Sequence, residues 1–176
     1  KTIIEILNKI KNNPSSLFKY EVIVVDDGST DKTKKLLEGN KHLYDKLLTN
    51  VSNAGKGFSI KRGLVNALGS HVIFQDADLE YNPSDFKKFE KVFIDFDADG
   101  IIGSRFVYSE YTRSHNILNK IANTLLTFIF NILYNTTFTD IYSCFFAFKK
   151  DLLNIDELKT KGFEQHAEIL CKVIKK

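Results

Sequence analysis

Hydrophobic and polar positions along this chain follow two periods, and the period switches repeatedly. Residues 1–11 place Ile3, Ile4, Ile6 and Leu7 on one side of an amphipathic helix. Asn13-Pro14-Ser15-Ser16 reads as a turn. Residues 20–25 read as a strand, and Val22 to Val25 is apolar throughout, as in a parallel strand covered on both faces. A helix is predicted over 31–38, with Ser29 or Thr30 as its N-cap. A short strand follows at 46–49, and a helix over 54–68 ends at Gly69. Residues 71–75 form the next strand, and Pro83 opens a helix with Phe86, Phe89, Val92 and Phe93 on one face. A strand at 100–103, a long helix over 116–134, a strand at 142–148 and a helix over 163–175 complete the series. Strands alternating with helices imply a layered α/β fold with a mainly parallel sheet. Ligands in such sheets bind beyond the carboxyl ends of the strands.

Composition narrows the partners. The chain has 176 residues, a size suited to one domain, and 43% are hydrophobic, so it can build a sizeable core. The net charge is +3 and the lysines alternate with acids, so composition gives no reason to expect nucleic acid. Cys144 and Cys171 lie far apart, which suits a reduced compartment and provides neither a disulfide framework nor a zinc pattern. The N-terminus lacks the continuous apolar stretch of a signal peptide. Helical patterns run into both ends, so a single domain over 1–176, cut at both ends, is the expectation. His42, His71, His115 and His166 show no metal spacing and read as surface residues.

The longest apolar region, 117–133, is broken by Asn119, Lys120, Asn123 and Asn131. A membrane-spanning helix needs roughly 20 mostly apolar residues, so crossing of a bilayer is not expected. Asn116, Asn119, Asn123, Thr127 and Asn131 form a single polar stripe. That stripe suits a core helix or an interfacial helix half-sunk in lipid.

Candidate chemistry sits after two strands. His71-Val72-Ile73-Phe74-Gln75 leads into Asp76-Ala77-Asp78-Leu79-Glu80, with a carboxylate at every second position. An EF-hand loop counted from Asp76 would need Gly where Tyr81 stands and Glu where Lys87 stands, so that reading fails. The stretch also resembles the Asp-x-Asp of haloacid dehalogenase-type phosphatases, but Glu80 and the distance from the N-terminus depart from them. A solvated turn with a helix N-cap is the plain alternative. A divalent cation site is the remaining one: hard ions such as Mg²⁺ or Mn²⁺ take carboxylate oxygens and are completed by substrate phosphates. The second piece is Asp26-Asp27-Gly28-Ser29-Thr30-Asp31, where a carboxylate can accept from a base N–H or a ribose hydroxyl, or simply make an Asx turn. Asn53-Ala54-Gly55-Lys56-Gly57 matches neither the dinucleotide nor the P-loop fingerprint.

Taken in order, Glu21-Val22-Ile23-Val24-Val25-Asp26-Asp27-Gly28-Ser29-Thr30-Asp31, Asn53-Ala54-Gly55-Lys56-Gly57, Gly63-Leu64, Phe74-Gln75-Asp76-Ala77-Asp78-Leu79-Glu80 and Gly103-Ser104-Arg105-Phe106 resemble the inverting family 2 glycosyltransferases of GT-A fold. The branch they resemble transfers sugars to dolichyl or undecaprenyl phosphate. The resemblance covers nearly the whole chain. It implies a Rossmann-like layered fold whose first strand is missing here, along with the nucleotide-holding Pro-x-Tyr-Asn-Glu-like motif after it. It implies that Asp27, with Asp26 and Ser29, binds the nucleoside, and that Lys56 lies near the diphosphate. Asp76, Asp78 and Glu80 would hold Mg²⁺ or Mn²⁺, with Asp76 and Asp78 forming the Asp-x-Asp motif. Arg105 and Arg113 would grip the acceptor phosphate, and Asp78 and Arg105 would carry the catalysis. The implied partners are a nucleotide-sugar donor, a polyprenyl phosphate and the cytoplasmic face of a membrane. Two positions depart from the family: Phe146 stands where a basic residue is usual, and His166 where an acid is. Asp140 could orient a substrate or serve a turn. The alternatives are a transferase acting on polysaccharide or protein, and a degenerate module that binds a sugar nucleotide without transfer.

Overall fold

The computed structural model describes residues 2–105 and 117–175. Helix α1 (Thr2–Lys11) buries Ile6 and Leu7. Strand β1 (Ile23–Asp26) pairs in parallel with β2 (Lys46–Thr49), Ile23 opposite Lys46 and Asp26 opposite Thr49. Helix α2 (Thr33–Glu38) connects them. It starts two residues later than the sequence pattern suggests, and its N-cap Lys32 makes no side-chain capping bond. Asp31 Oδ1 instead accepts from the Thr33 N–H, so neither Ser29 nor Thr30 caps it. Helix α3 (Lys56–Asn66) leads to β3 (His71–Ile73), and α4 (Phe86–Phe96) leads to β4 (Gly100–Ile102). Helix α5 (Ile117–Tyr134), β5 (Phe146–Lys149) and α6 (Gln165–Ile174) complete the described elements.

The fold is α/β, with one departure from the expected strand directions. Strand β5 lies between β3 and β4 and runs antiparallel to both, which leaves β3 and β4 pointing the same way. Phe146-Ala147-Phe148 is buried on both faces, and an apolar run of that kind reads the same in either direction. Strand β5 also starts later than 142. The Ser143 hydroxyl accepts from the Phe145 N–H and the Cys144 carbonyl from the Phe146 N–H, so a turn occupies 142–145.

The core follows the two-residue period of β5. Phe146 and Phe148 pack with Leu64, Phe130, Ile169, Leu170 and Val173. Phe145 and Ala147 face Phe86, Phe89 and Phe93 of α4. A third cluster joins Leu7 of α1 to Val24, Leu37 and Leu43. Between the two ladders lies a cavity of about 910 Å³, walled by Ile6 and Ile10 of α1, Val24, Ile60, Val72 and Phe86. It reaches Asp27, Lys56 and Asp76 at the carboxyl ends of β1 and β3. Among the described residues, neither β1 nor β3 has a second strand partner on the cavity side.

Helix α5 is built inside out. Asn123 and Thr127 are buried against the domain, while Ile117, Leu118, Ile121, Leu125, Phe128, Ile132 and Leu133 are exposed. At 100° per residue the exposed apolar positions occupy the half of the helix opposite Asn123 and Thr127. The core-helix reading of α5 therefore fails: Asn123 and Thr127 of the stripe face the protein and are bonded there, whereas Asn119 is exposed and Asn116 lies outside the described residues. By length and composition alone, the 18 residues of α5 would suffice to cross a membrane, against the expectation from the sequence. Its inward bonds hold it along the flank of the domain.

Candidate active site

The ends of β1 and β3 are tied together through the start of α3. Asp27 follows β1, and its Oδ1 accepts from Asn50 Nδ2 at 2.7 Å and from the Ala54 N–H at 2.9 Å. Its Oδ2 accepts from the Gly55 N–H at 2.9 Å. Burial pushes the Asp27 carboxyl up, but these hydrogen bonds outweigh it and hold the group below the usual carboxylate range. Gly55 has φ +98°, and a Cβ there would lie 2.5 Å from the Lys161 carbonyl oxygen. Gly28, at φ +71°, lets the Asp27 turn approach Ser52 and Asn53 closely. Residues 54 and 55 are thus held outside the helix, which is why α3 begins at Lys56.

Lys56 reaches across to the second strand end. Its ammonium donates to Asp76 Oδ2 at 2.7 Å and to Cys144 Sγ at 3.0 Å, and lies 5.8 Å from the Phe163 ring centroid. Burial works against its charge, yet Asp76 outweighs burial and raises the Lys56 pKa. The Cys144 thiol is pushed up to about 11 by burial first and by Asp76 second, with Lys56 opposing. His166, at the start of α6, is 4% exposed and packs on Phe74. It is not the surface residue the sequence suggested. Burial and then Lys56 lower its pKa to about 4. Among the other histidines, His42 is exposed, His71 is half-buried between Phe18 and Phe93, and His115 lies outside the described residues.

The acidic stretch forms a loop pinned at both ends by Gln75. Its Nε2 donates to the Asp76 carbonyl at 2.9 Å and to the Tyr81 carbonyl at 3.2 Å. Asp78 is exposed, and its Oδ1 accepts from the Glu80 N–H at 3.0 Å. Leu79 between them has φ +67°, a backbone state that a branched side chain rarely adopts outside functional loops. Asp76, Asp78 and Glu80 do not gather into a three-carboxylate cluster among the described residues. The donors still fit a hard divalent ion of the kind held by one or two carboxylates and completed by substrate phosphate oxygens. Asp78 is an exposed hard donor, and neither it nor Glu80 forms a salt bridge among the described residues.

Arg105 follows β4 and lies near Tyr81 and Glu80, both of which act on its charge. Its Nε donates to Asp140 Oδ2 at 2.7 Å and its Nη2 to Asp140 Oδ1 at 2.9 Å. Tyr81 stacks on Phe145 with centroids 5.0 Å apart, and its pKa is pushed up to about 12, chiefly by burial. Arg113 lies outside the described residues. Asp26 is 5% exposed, and one of its oxygens accepts from the Ser29 N–H at 3.2 Å.

Among the described residues, the buried side-chain atoms without a hydrogen-bond partner are Asp26 Oδ2, Gln75 Oε1, both polar atoms of Gln165, and His166 Nε2. These residues stand at the ends of β1 and β3 and at the start of α6. Sequence reading missed Asn50, Gln165 and the Cys144 contact. Only His166, which stands where the family carries an acid, could have pointed to α6.

A family model described as Glycosyl transferase family 2 matches residues 1–155. The chain belongs to glycosyl transferase family 2. Its similar relatives include a dolichyl-phosphate beta-glucosyltransferase of Dictyostelium discoideum, 37% identical over 51% of this chain and 27% of that protein. A dolichol-phosphate mannosyltransferase of Pyrococcus furiosus is 29% identical over 96% of this chain and 48% of that protein. The chain spans about half the length of the mannosyltransferase and less of the glucosyltransferase. Glucosyl-3-phosphoglycerate synthase of Mycobacterium tuberculosis, solved with phosphoglyceric acid, superposes with a TM-score of 0.72. That match has 20% identity over 99% of this chain and 61% of that one. The same synthase with Mn²⁺, uridine diphosphate and glucosyl-3-phosphoglycerate gives 0.70 at 20% identity, over 99% of this chain and 61% of that one. The fold of this family 2 glycosyltransferase is GT-A.

Proposed function

We propose that this glycosyltransferase is metal-dependent and inverting, moving a sugar from a nucleoside-diphospho-sugar to a polyprenyl phosphate. The observation that carries the donor side is the set of unpartnered buried polar atoms on Asp26 and Gln75, at the ends of β1 and β3, and on Gln165 and His166, at the start of α6. A polar ligand is what such groups call for, because leaving them unpaired costs about 1–3 kcal/mol each. Asp27 organises the turn and the 53–55 loop beneath the nucleoside, with Asp26 and Ser29 beside it. Lys56 lies next to the diphosphate, and Asp76 orients the lysine. Asp78 and Glu80 would hold a divalent ion, which would neutralise the diphosphate charge.

Arg105, with Arg113, holds the acceptor phosphate. A phosphate oxygen attacks the anomeric carbon as the bond to the diphosphate breaks, and the nucleoside diphosphate leaves with the bonding electron pair. The acceptor is already ionised near neutral pH, so no general base is required. The reading of a prenyl-chain acceptor is supported by α5, whose outward half is aliphatic and aromatic. A surface of that kind suits the cytoplasmic interface of a bilayer, where a prenyl tail resides.

The test is transfer of labelled sugar from uridine- or guanosine-diphospho-sugars to a short-chain prenyl phosphate, with and without Mn²⁺. Metal-requiring formation of the prenyl-phosphate sugar is expected. Transfer only to a glycan or peptide would replace the acceptor, and donor binding without turnover would make the chain a sugar-nucleotide-binding module.

A further inference from the structure

Asp140 is 1% exposed, and a closed ring of hydrogen bonds surrounds it. Asn123 of α5 donates to Asp140 Oδ1 at 2.8 Å. Thr127, one turn on, donates to Asn123 Oδ1 at 3.5 Å. The Ile141 N–H, next in chain to Asp140, donates to Thr127 Oγ1 at 3.4 Å and closes the ring. From the other side Arg105 engages both carboxylate oxygens with its guanidinium, and its backbone N–H reaches Oδ2 at 3.3 Å. Burial raises the Asp140 pKa, but Arg105 and Asn123 outweigh it, so the carboxylate stays ionised.

A surface salt bridge needs none of this apparatus, and a buried carboxylate is costly unless every oxygen is engaged. Two-point engagement fixes the plane of a guanidinium, which is what bidentate phosphate recognition requires. We infer that Asp140 is a positioning residue for Arg105, and that the inward stripe of α5, Asn123 and Thr127, holds Asp140 in place. This deepens the proposed function and rests on its reading of Arg105 as the acceptor-phosphate arginine.

Counter-charge and positioning predict opposite signs. If Asp140 only neutralised Arg105, Asp140→Asn would strengthen phosphate binding and lower the acceptor KM. If it positions Arg105, kcat/KM for the prenyl phosphate falls by about 10- to 100-fold, the scale of loss from a misplacement of about 1 Å. Donor affinity, measured by titration with the nucleoside diphosphate, stays at the parent value. Asn123→Ala and Thr127→Val leave both charges in place and lower acceptor kcat/KM in the same direction by less. They decide the matter if Asp140→Asn fails to fold. A parent-like or higher acceptor kcat/KM in these variants overturns the inference. So does a parallel loss of donor affinity, which would mark a structural role. If the parent binds donor but neither binds nor uses prenyl phosphate, the acceptor reading of Arg105 itself falls, and the positioning role with it.

Discussion

His166 is a neutral imidazole sealed beside a lysine, and that has a pH signature. Its pKa is about 4 in the folded protein, against about 6.5 in an unfolded chain. As pH falls through 6.5 the unfolded state takes up a proton that the folded state refuses until about 4. Stability is therefore full above 6.5 and is lost between 6.5 and 4. The contribution between pH 7 and pH 5 is about 2 kcal/mol. His166→Phe keeps the packing against Phe74 and should shrink the pH 7 to pH 5 difference in denaturant-derived stability by about that amount. Cys144 gives a second test. With its thiol pKa near 11, it should alkylate at pH 8 about 100-fold more slowly than a free peptide thiol, whose pKa is about 8.5. Mass-spectrometric labelling rates would show it. Asp78 is exposed, so Asp78→Asn should leave the melting temperature unchanged. It should abolish the gain in nucleotide affinity that Mn²⁺ provides, and equal Mn²⁺ dependence in mutant and parent would remove Asp78 from the ion site.

At the scale of elements, the sequence was legible where one face of an element decides its place. The helix after Pro83 and strand β2 fall where the pattern puts them. The starts of α2 and β5 moved through bonds two residues away, and the start of α3 moved because a side chain far away in sequence captures the backbone. Asp27 withholds residues 54 and 55 from α3, and no local pattern encodes a bond to a residue 27 positions earlier. The direction of β5 was hidden because burial on both faces erases alternation. Helix α5 was read correctly as striped, but a stripe alone does not say which side faces the protein. The ring around Asp140 decides that. Replacing Ile121, Leu125 and Ile132 by Gln should change stability by no more than about 0.5 kcal/mol per residue, as at other exposed sites. The same change should abolish co-sedimentation with anionic phospholipid vesicles. Retained sedimentation would sink the interfacial reading of α5.

Over the whole molecule, the strand-end motifs were legible because acids placed after apolar strands are a local signal. The contacts that make them a site were not, because Lys56 to Asp76, Lys56 to Cys144 and Arg105 to Asp140 span 20, 88 and 35 positions. The cavity between the two ladders bears on the molecule's thermodynamics. Apolar residues that line it, among them Val25, Ile60, Val72 and Ile73, are only half-buried. Unfolding therefore brings less new apolar surface to water than chain length alone would suggest. A chain of 176 residues ordinarily unfolds with a heat-capacity increment of about 2.1–2.6 kcal/mol/K. Calorimetry on this protein should return a value below that range, and an apolar peptide or dye that enters the cavity should raise it.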